Sequence, residues 1–261
     1  MPIWDVRRLD SGGCYEAKLG LLRIWLKHTY QDWYVASELA PFMNRRQLLL
    51  AYFRSVKKEP AGWRRWVFEA GTGTVALAPH MPDRSVVVQP DMPLRIPPSQ
   101  RALFFVTIPL WISVTVGDGD RVTLCDIPTT LLSNTWFGDF AVGELCYSLR
   151  SRAKRKVEPA ERAVHSVVCP VQVTNASASP LEFQHLCLSS EYLSVYQVPG
   201  RMWTNRIDVL YQGGDQESQI TVVQGAPDVE GEATLVSPAR TVAQQSLVRK
   251  SFQFLRTLTG M

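Results

Sequence analysis

The side chains suited to metal or acid–base chemistry are spread thinly along this chain. His28, His80, His165 and His185 each stand alone, whereas a zinc site usually carries at least one pair of ligands a few residues apart. The nearest approach is His185 with Cys187 on one face of a strand, for which a packed or hydrogen-bonded pair is the plainer reading. Asp118 and Asp120 in Gly117-Asp118-Gly119-Asp120 open like a calcium loop, but the remaining ligands and the distant bidentate glutamate are missing, so a hairpin turn is expected. Gly71-Thr72-Gly73 lacks the lysine and following helix that a phosphate cradle needs. No G-x-S-x-G elbow or local cysteine-nucleophile signature is present. Asp126, Asp139 and Glu144 could converge as paired carboxylates, although acidic residues at strand ends are more often solvated. These residues lead to no catalytic, metal or cofactor assignment.

Charge and aromatic residues say more. Arg150, Arg152, Lys154, Arg155 and Lys156 place five cations within seven residues. Such a run either meets phosphate, acidic lipid or an acidic partner surface with salt-sensitive affinity, or forms a solvated linker whose charges discourage strand pairing. The linker is the plainer reading. Trp136 and Phe137, and likewise Trp203, fall in expected connections, where aromatic side chains meet ligands more readily than in a core.

The elements that must position these groups read as strands. Between Pro82 and Arg150 prolines and glycines cut the chain into short β-branched and aromatic runs, the rhythm of antiparallel β-sandwich. In residues 14–38, Leu22, Ile24, Leu26 and His28 share one face and Leu21, Arg23, Trp25 and Lys27 the other. Three- and four-residue spacing of Leu39, Phe42, Met43, Leu49, Leu50, Phe53 and Val56 predicts a short amphipathic helix over 39–57. Pro109 predicts a bulge or bend. Ser237 and Pro238 predict the start of a C-terminal helix over 238–258, with Val248, Phe252, Leu255 and Leu258 on its apolar stripe. The polar stretch from Ser151 to Arg162 suggests a boundary between two β-sandwich lobes, 1–155 and 156–261.

With 261 residues, 46% hydrophobic and 20% charged, the chain can bury a large core without staples. A net charge of +4 is too modest to announce a nucleic-acid binder. Five scattered cysteines without a C-x-x-C pair fit buried apolar positions in a reducing compartment. The N-terminus lacks the apolar core of a signal peptide, and the apolar stretch from Ala102 to Val116 is too short to span a bilayer. A cytoplasmic location is expected.

The series LRIWLKHTYQDWYVASE, APHMPDRSVVVQPDMPLRIPPSQRALFFVTIPLWISV and WFGDFAVGELCYSLRSRA resembles an uncharacterised prokaryotic family, a domain of unknown function of the 432 series. The likeness is densest over residues 79–150 and rests on strand and turn sequences, so it transfers no site. It implies a β-rich soluble protein of bacteria and archaea, with a membrane-channel partner suggested by gene neighbourhood. The leading expectation is a non-enzymatic interaction or regulatory protein that binds another macromolecule. The alternatives are a carbohydrate-binding or carbohydrate-active protein, and a nucleic-acid or anionic-membrane binder acting through residues 150–156.

Overall fold

The computed structural model describes residues 3–42, 44–69, 71–157, 163–213, 218–228, 231–242, 247–249 and 252–253. Regular structure among them is mainly strand, in several sheets that are largely antiparallel; the helical segments are the short 3₁₀ turns Arg45–Leu49 and Ser190–Tyr192. Contacts divide the chain into two discontinuous units. The first comprises Met1–His80, Pro109–Leu131 and Arg162–Ser166, and the second Met81–Ile108, Leu132–Glu161 and Val167–Met261. The division follows contacts instead of chain order: the chain changes unit at Pro109, and residues 132–161, which hold the expected boundary, lie together in the second unit.

In the first unit an antiparallel sheet runs in the order Ala51–Val56, Cys14–Leu19, Leu22–His28, Asp32–Leu39, Arg64–Val67. Period-two alternation decides its faces. Ala17, Leu19, Leu22, Ile24, Leu26 and Val35 are at most 1% exposed and form one core, and His28 is buried on the same face as expected. A second antiparallel sheet, Arg7–Arg8, Thr74–His80, Trp111–Val116 and Val122–Pro128, contributes Val75, Leu77, Ile112, Val114 and Val116 to that core. Each such aliphatic side chain stabilises by roughly 1.5–3 kcal/mol relative to exposure.

Gly117-Asp118-Gly119-Asp120 is the hairpin turn between Trp111–Val116 and Val122–Pro128. The Asp118 carboxylate accepts from the hydroxyls of Thr74 and Thr72, which hold it below the usual carboxylate range. Gly71 marks a close approach: a Cβ there would collide with the Tyr30 carbonyl.

Both expected helices are corrected. Over 39–57 the chain forms the 3₁₀ turn Arg45–Leu49, capped reciprocally by Asn44 and Gln47, and then the strand Ala51–Val56. Six residues of ladder against Cys14–Leu19 satisfy this backbone, and the supposed stripe does not form one buried face, since Phe42, Leu49 and Leu50 are exposed while Leu39, Phe53 and Val56 are half-buried. At the C-terminus Ser237 is buried in the strand Thr234–Ser237, paired with Val195–Val198, where a helix cap would be solvated. Leu247–Arg249 and Phe252–Gln253 add to sheet edges offered by Ser218–Val222 and His185–Leu188; Leu255 and Leu258 lie outside the described residues.

The second unit holds the sheet Ser133–Phe137, Glu144–Ser151, Val86–Pro90, His185–Leu188, Phe252–Gln253. Glu144–Ser151 runs parallel to Val86–Pro90 and the other ladders are antiparallel. A larger sheet is built around Ser166–Asn175, which pairs with Arg101–Pro109, Arg201–Thr204 and Ile207–Tyr211. Val167, Cys169, Val171 and Val173 are all buried on this central strand. The Asn-Ala-Ser turn that follows is closed by Asn175, whose buried amide donates to the carbonyls of Ile96 and Ser179, each at 2.9 Å, and accepts from Ser177 N at 3.0 Å.

Candidate functional site

The run from Arg150 to Lys156 is fixed to the second unit and is not a free linker. Arg150 and Ser151 end the strand Glu144–Ser151. Two residues on, Ala153 adopts φ +42 and turns its methyl inward, its N–H donating to Ser151 Oγ at 3.2 Å. Lys154 then bridges the outer edge of Arg101–Pro109, its carbonyl accepting from Phe105 N at 2.8 Å. Burial of one small residue therefore sends Arg152 and Lys154 outward on either side of it.

The result is a groove of about 200 Å³ lined by Phe105, Thr107, Arg150, Ser151, Arg152 and Lys154. Arg152 Nε lies 3.9 Å from Asp91, with both side chains well exposed, so that pair is worth at most about 1 kcal/mol. Arg155 is held apart, its guanidinium 5.3 Å from the Phe104 ring centroid, and Lys156 is exposed. Three cations and two hydroxyls form a donor set suited to an oxyanion or a carboxylate-rich surface. Phe105 and Thr107 escaped sequence reasoning, although the period-two alternation of Leu103, Phe105 and Thr107 along their strand placed them together on its less buried face.

The aromatic candidates separate. Trp136 is 49% exposed and donates from its indole to the Asp139 carbonyl at 3.2 Å, in the turn of a hairpin. Phe137 and Trp203 are corrected: they are 4% and 1% exposed, because each points into a core from a strand. Trp203 packs with Val168 and Val198 and meets Phe105 edge to face at 6.0 Å, so it backs the groove instead of touching a ligand.

The titratable candidates also separate. His28 packs on the Trp33 ring at 5.1 Å, and burial, with the nearby charge of Arg8, pulls its imidazole below the usual range. Burial likewise lowers His165 and His185. Asp126 lies in the first unit and Asp139 and Glu144 in the second. The backbone carbonyl of Asp139 closes its turn by accepting from Gly143 N at 2.7 Å, and Glu144 meets the thiol of Cys187 at 3.7 Å. In the first unit a separate cleft of about 610 Å³ includes Trp25, Glu38 and Glu59. At its wall the buried Glu16 carboxylate is clamped by Arg54, at 2.9 and 2.7 Å, and by Arg23 at 3.8 Å.

No helix among the described residues is long and apolar enough to cross a membrane. Fold and groove together describe a mainly β protein with cations mounted on strand-paired backbone. The chain belongs to the family described as "Protein of unknown function (DUF432)", which matches residues 3–256. No curated protein and no solved structure matches it.

Proposed function

We propose that this chain is a non-enzymatic interaction protein of the cytoplasm that docks an acidic surface of a partner protein in the groove formed by Arg150, Arg152 and Lys154. The observation that carries this reading is the pinned backbone: the buried Ala153 and the bridge from Lys154 to Phe105 fix the main chain from which the cations project before any partner arrives. A pre-ordered backbone loses less entropy on binding, and charges at a rim steer encounter. A protein partner is favoured over nucleic acid by the small groove and by the net charge of only +4. A membrane channel is the partner class that the family resemblance suggests. Trp136, exposed on its hairpin, is the aromatic candidate left for a second contact.

Fluorescence anisotropy of the whole chain with a labelled polyglutamate peptide tests this. Binding at low salt that weakens steeply as salt rises, and that Arg150→Glu with Arg152→Glu and Lys154→Glu abolishes, is expected. Binding unchanged in the triple variant overturns the reading. Tighter capture of duplex DNA or phosphatidylserine vesicles replaces it with the nucleic-acid or membrane alternative.

The carbohydrate reading keeps one supporting observation, the cleft of the first unit with Glu38 and Glu59 near Trp25. Calorimetric titration with oligosaccharides tests it; absence of heat, or binding indifferent to Glu38→Gln and Glu59→Gln, ends it.

A further inference from the structure

We propose that Glu144, Cys146 and Cys187 form a zinc-binding site in the second unit, with two thiolates and one carboxylate as protein ligands. Glu144 and Cys146 stand two residues apart on Glu144–Ser151 and so share a face; Cys187 comes from His185–Leu188. Both strands flank Val86–Pro90 from opposite sides, and their side chains lean together across it. One donor atom from each residue lies within 4.8 Å of the other two, with Cys187 Sγ 3.7 Å from Glu144 Oε1. Bonds of about 2.3 Å to sulfur and about 2.0 Å to oxygen put the ligand atoms of a tetrahedral zinc roughly 3.3–3.8 Å apart, so small side-chain adjustments complete the site.

The alternative chemistry for two neighbouring thiols is a disulfide, and the ladder argues against it. One strand separates the two cysteines, so their backbones are roughly 10 Å apart, outside the span a disulfide bridges. Neither cysteine is in a disulfide. A metal ion tolerates that separation because its ligands point inward from all sides.

The surroundings fit a closed, soft site. Cys146 and Cys187 are 0% and 4% exposed and pack with Val87 and Phe137, while the half-buried Glu144 leaves an approach from solvent. Thiolate donors favour zinc over magnesium or calcium, and three protein ligands leave a fourth position for water. Binding forms two Zn–S bonds and one Zn–O bond and releases the two thiol protons to solvent, with no change of oxidation state, so affinity rises with pH. His185, two residues before Cys187, is not part of the group: the partners of Cys187 come from the far side of Val86–Pro90. Sequence could not show this, because 41 positions separate Cys146 from Cys187.

The test uses the whole chain, reduced and stripped with a chelator, titrated with Co²⁺ and then Zn²⁺. One equivalent of cobalt should produce a thiolate-to-metal charge-transfer band that one equivalent of zinc removes. X-ray absorption of the zinc-loaded wild type should show two sulfur scatterers with the remainder oxygen. Cys187→Ser and Glu144→Gln should each weaken binding by about 10-fold or more, while Cys125→Ala, in the other unit, should not. No charge-transfer band at stoichiometric cobalt, or a shell of oxygen and nitrogen alone, overturns the site. The wild-type spectra decide even if a buried-cysteine variant fails to fold.

Discussion

Substitution of Trp203 tests whether this ring supports the groove from the core or meets a ligand at the surface. The side chain is 1% exposed, lies edge to face with Phe105 at 6.0 Å, and its buried indole N–H finds no acceptor among the described residues. Trp203→Ala removes the ring and leaves a cavity, at a cost of about 3–5 kcal/mol. Trp203→Phe keeps most of the bulk. Its lost area costs about 1–2 kcal/mol, while removal of the unpaired donor returns about 1–3 kcal/mol. By these two terms the expected net change runs from about 1 kcal/mol less stable to about 2 kcal/mol more stable than wild type. Urea unfolding followed by circular dichroism, with slopes compared between variants, measures both. Equal destabilisation by Phe and Ala would show that the indole N–H is paired. A neutral Trp203→Ala would return the ring to the surface and refute the packing argument.

Ala153→Val should destabilise by about 1–3 kcal/mol, since a β-branched side chain is strained at φ +42, and should weaken polyglutamate binding although every cation remains; intact affinity would show that the pinned turn is irrelevant. His28 and His165 both have lowered folded-state values, so below their ordinary 6.5 the unfolded chain takes up protons first. Their contribution is complete above that pH, declines as pH falls, and levels off once the folded imidazoles protonate. Thermal midpoints from pH 8 to 5 should therefore fall less in the His28→Gln, His165→Gln variant than in wild type, and parallel curves would contradict this. Burial pushes the Cys169 thiol up to about 12, so native thiol titration with mass mapping should leave Cys169 unmodified, and early labelling would place it outside the core. Gly143→Val should unfold the hairpin around Trp136, because a Cβ there falls 2.6 Å from the Phe137 carbonyl and 2.7 Å from that of Asp139; unchanged Trp136 fluorescence would dispute it.

Local chemistry made the β character readable. Alternation places Leu22, Ile24 and Leu26 on a core face whichever strands lie beside them, and Gly117-Asp118-Gly119-Asp120 turns the chain through its own backbone preferences. The two helix expectations went the other way. A 3.6-residue spacing in 39–57 is weak evidence when Cys14–Leu19 presents an open ladder, and the C-terminal stripe met the same competition from sheet edges. The cations of 150–156 were visible as residues, but the groove that Arg150, Arg152 and Lys154 line depended on Ala153 turning inward and on Phe105 arriving from a strand about fifty residues earlier. Burial of Trp203 and the meeting of Glu144 and Cys146 with Cys187 are likewise products of strand order. Sequence by itself determined the β character, many of the turns and the inward face of strands such as Leu22–His28, because those are properties of neighbours along the chain; only the tertiary structure decided which strands lie side by side, and that step brought Phe105 to the cations of 150–156 and Cys187 to Glu144 and Cys146.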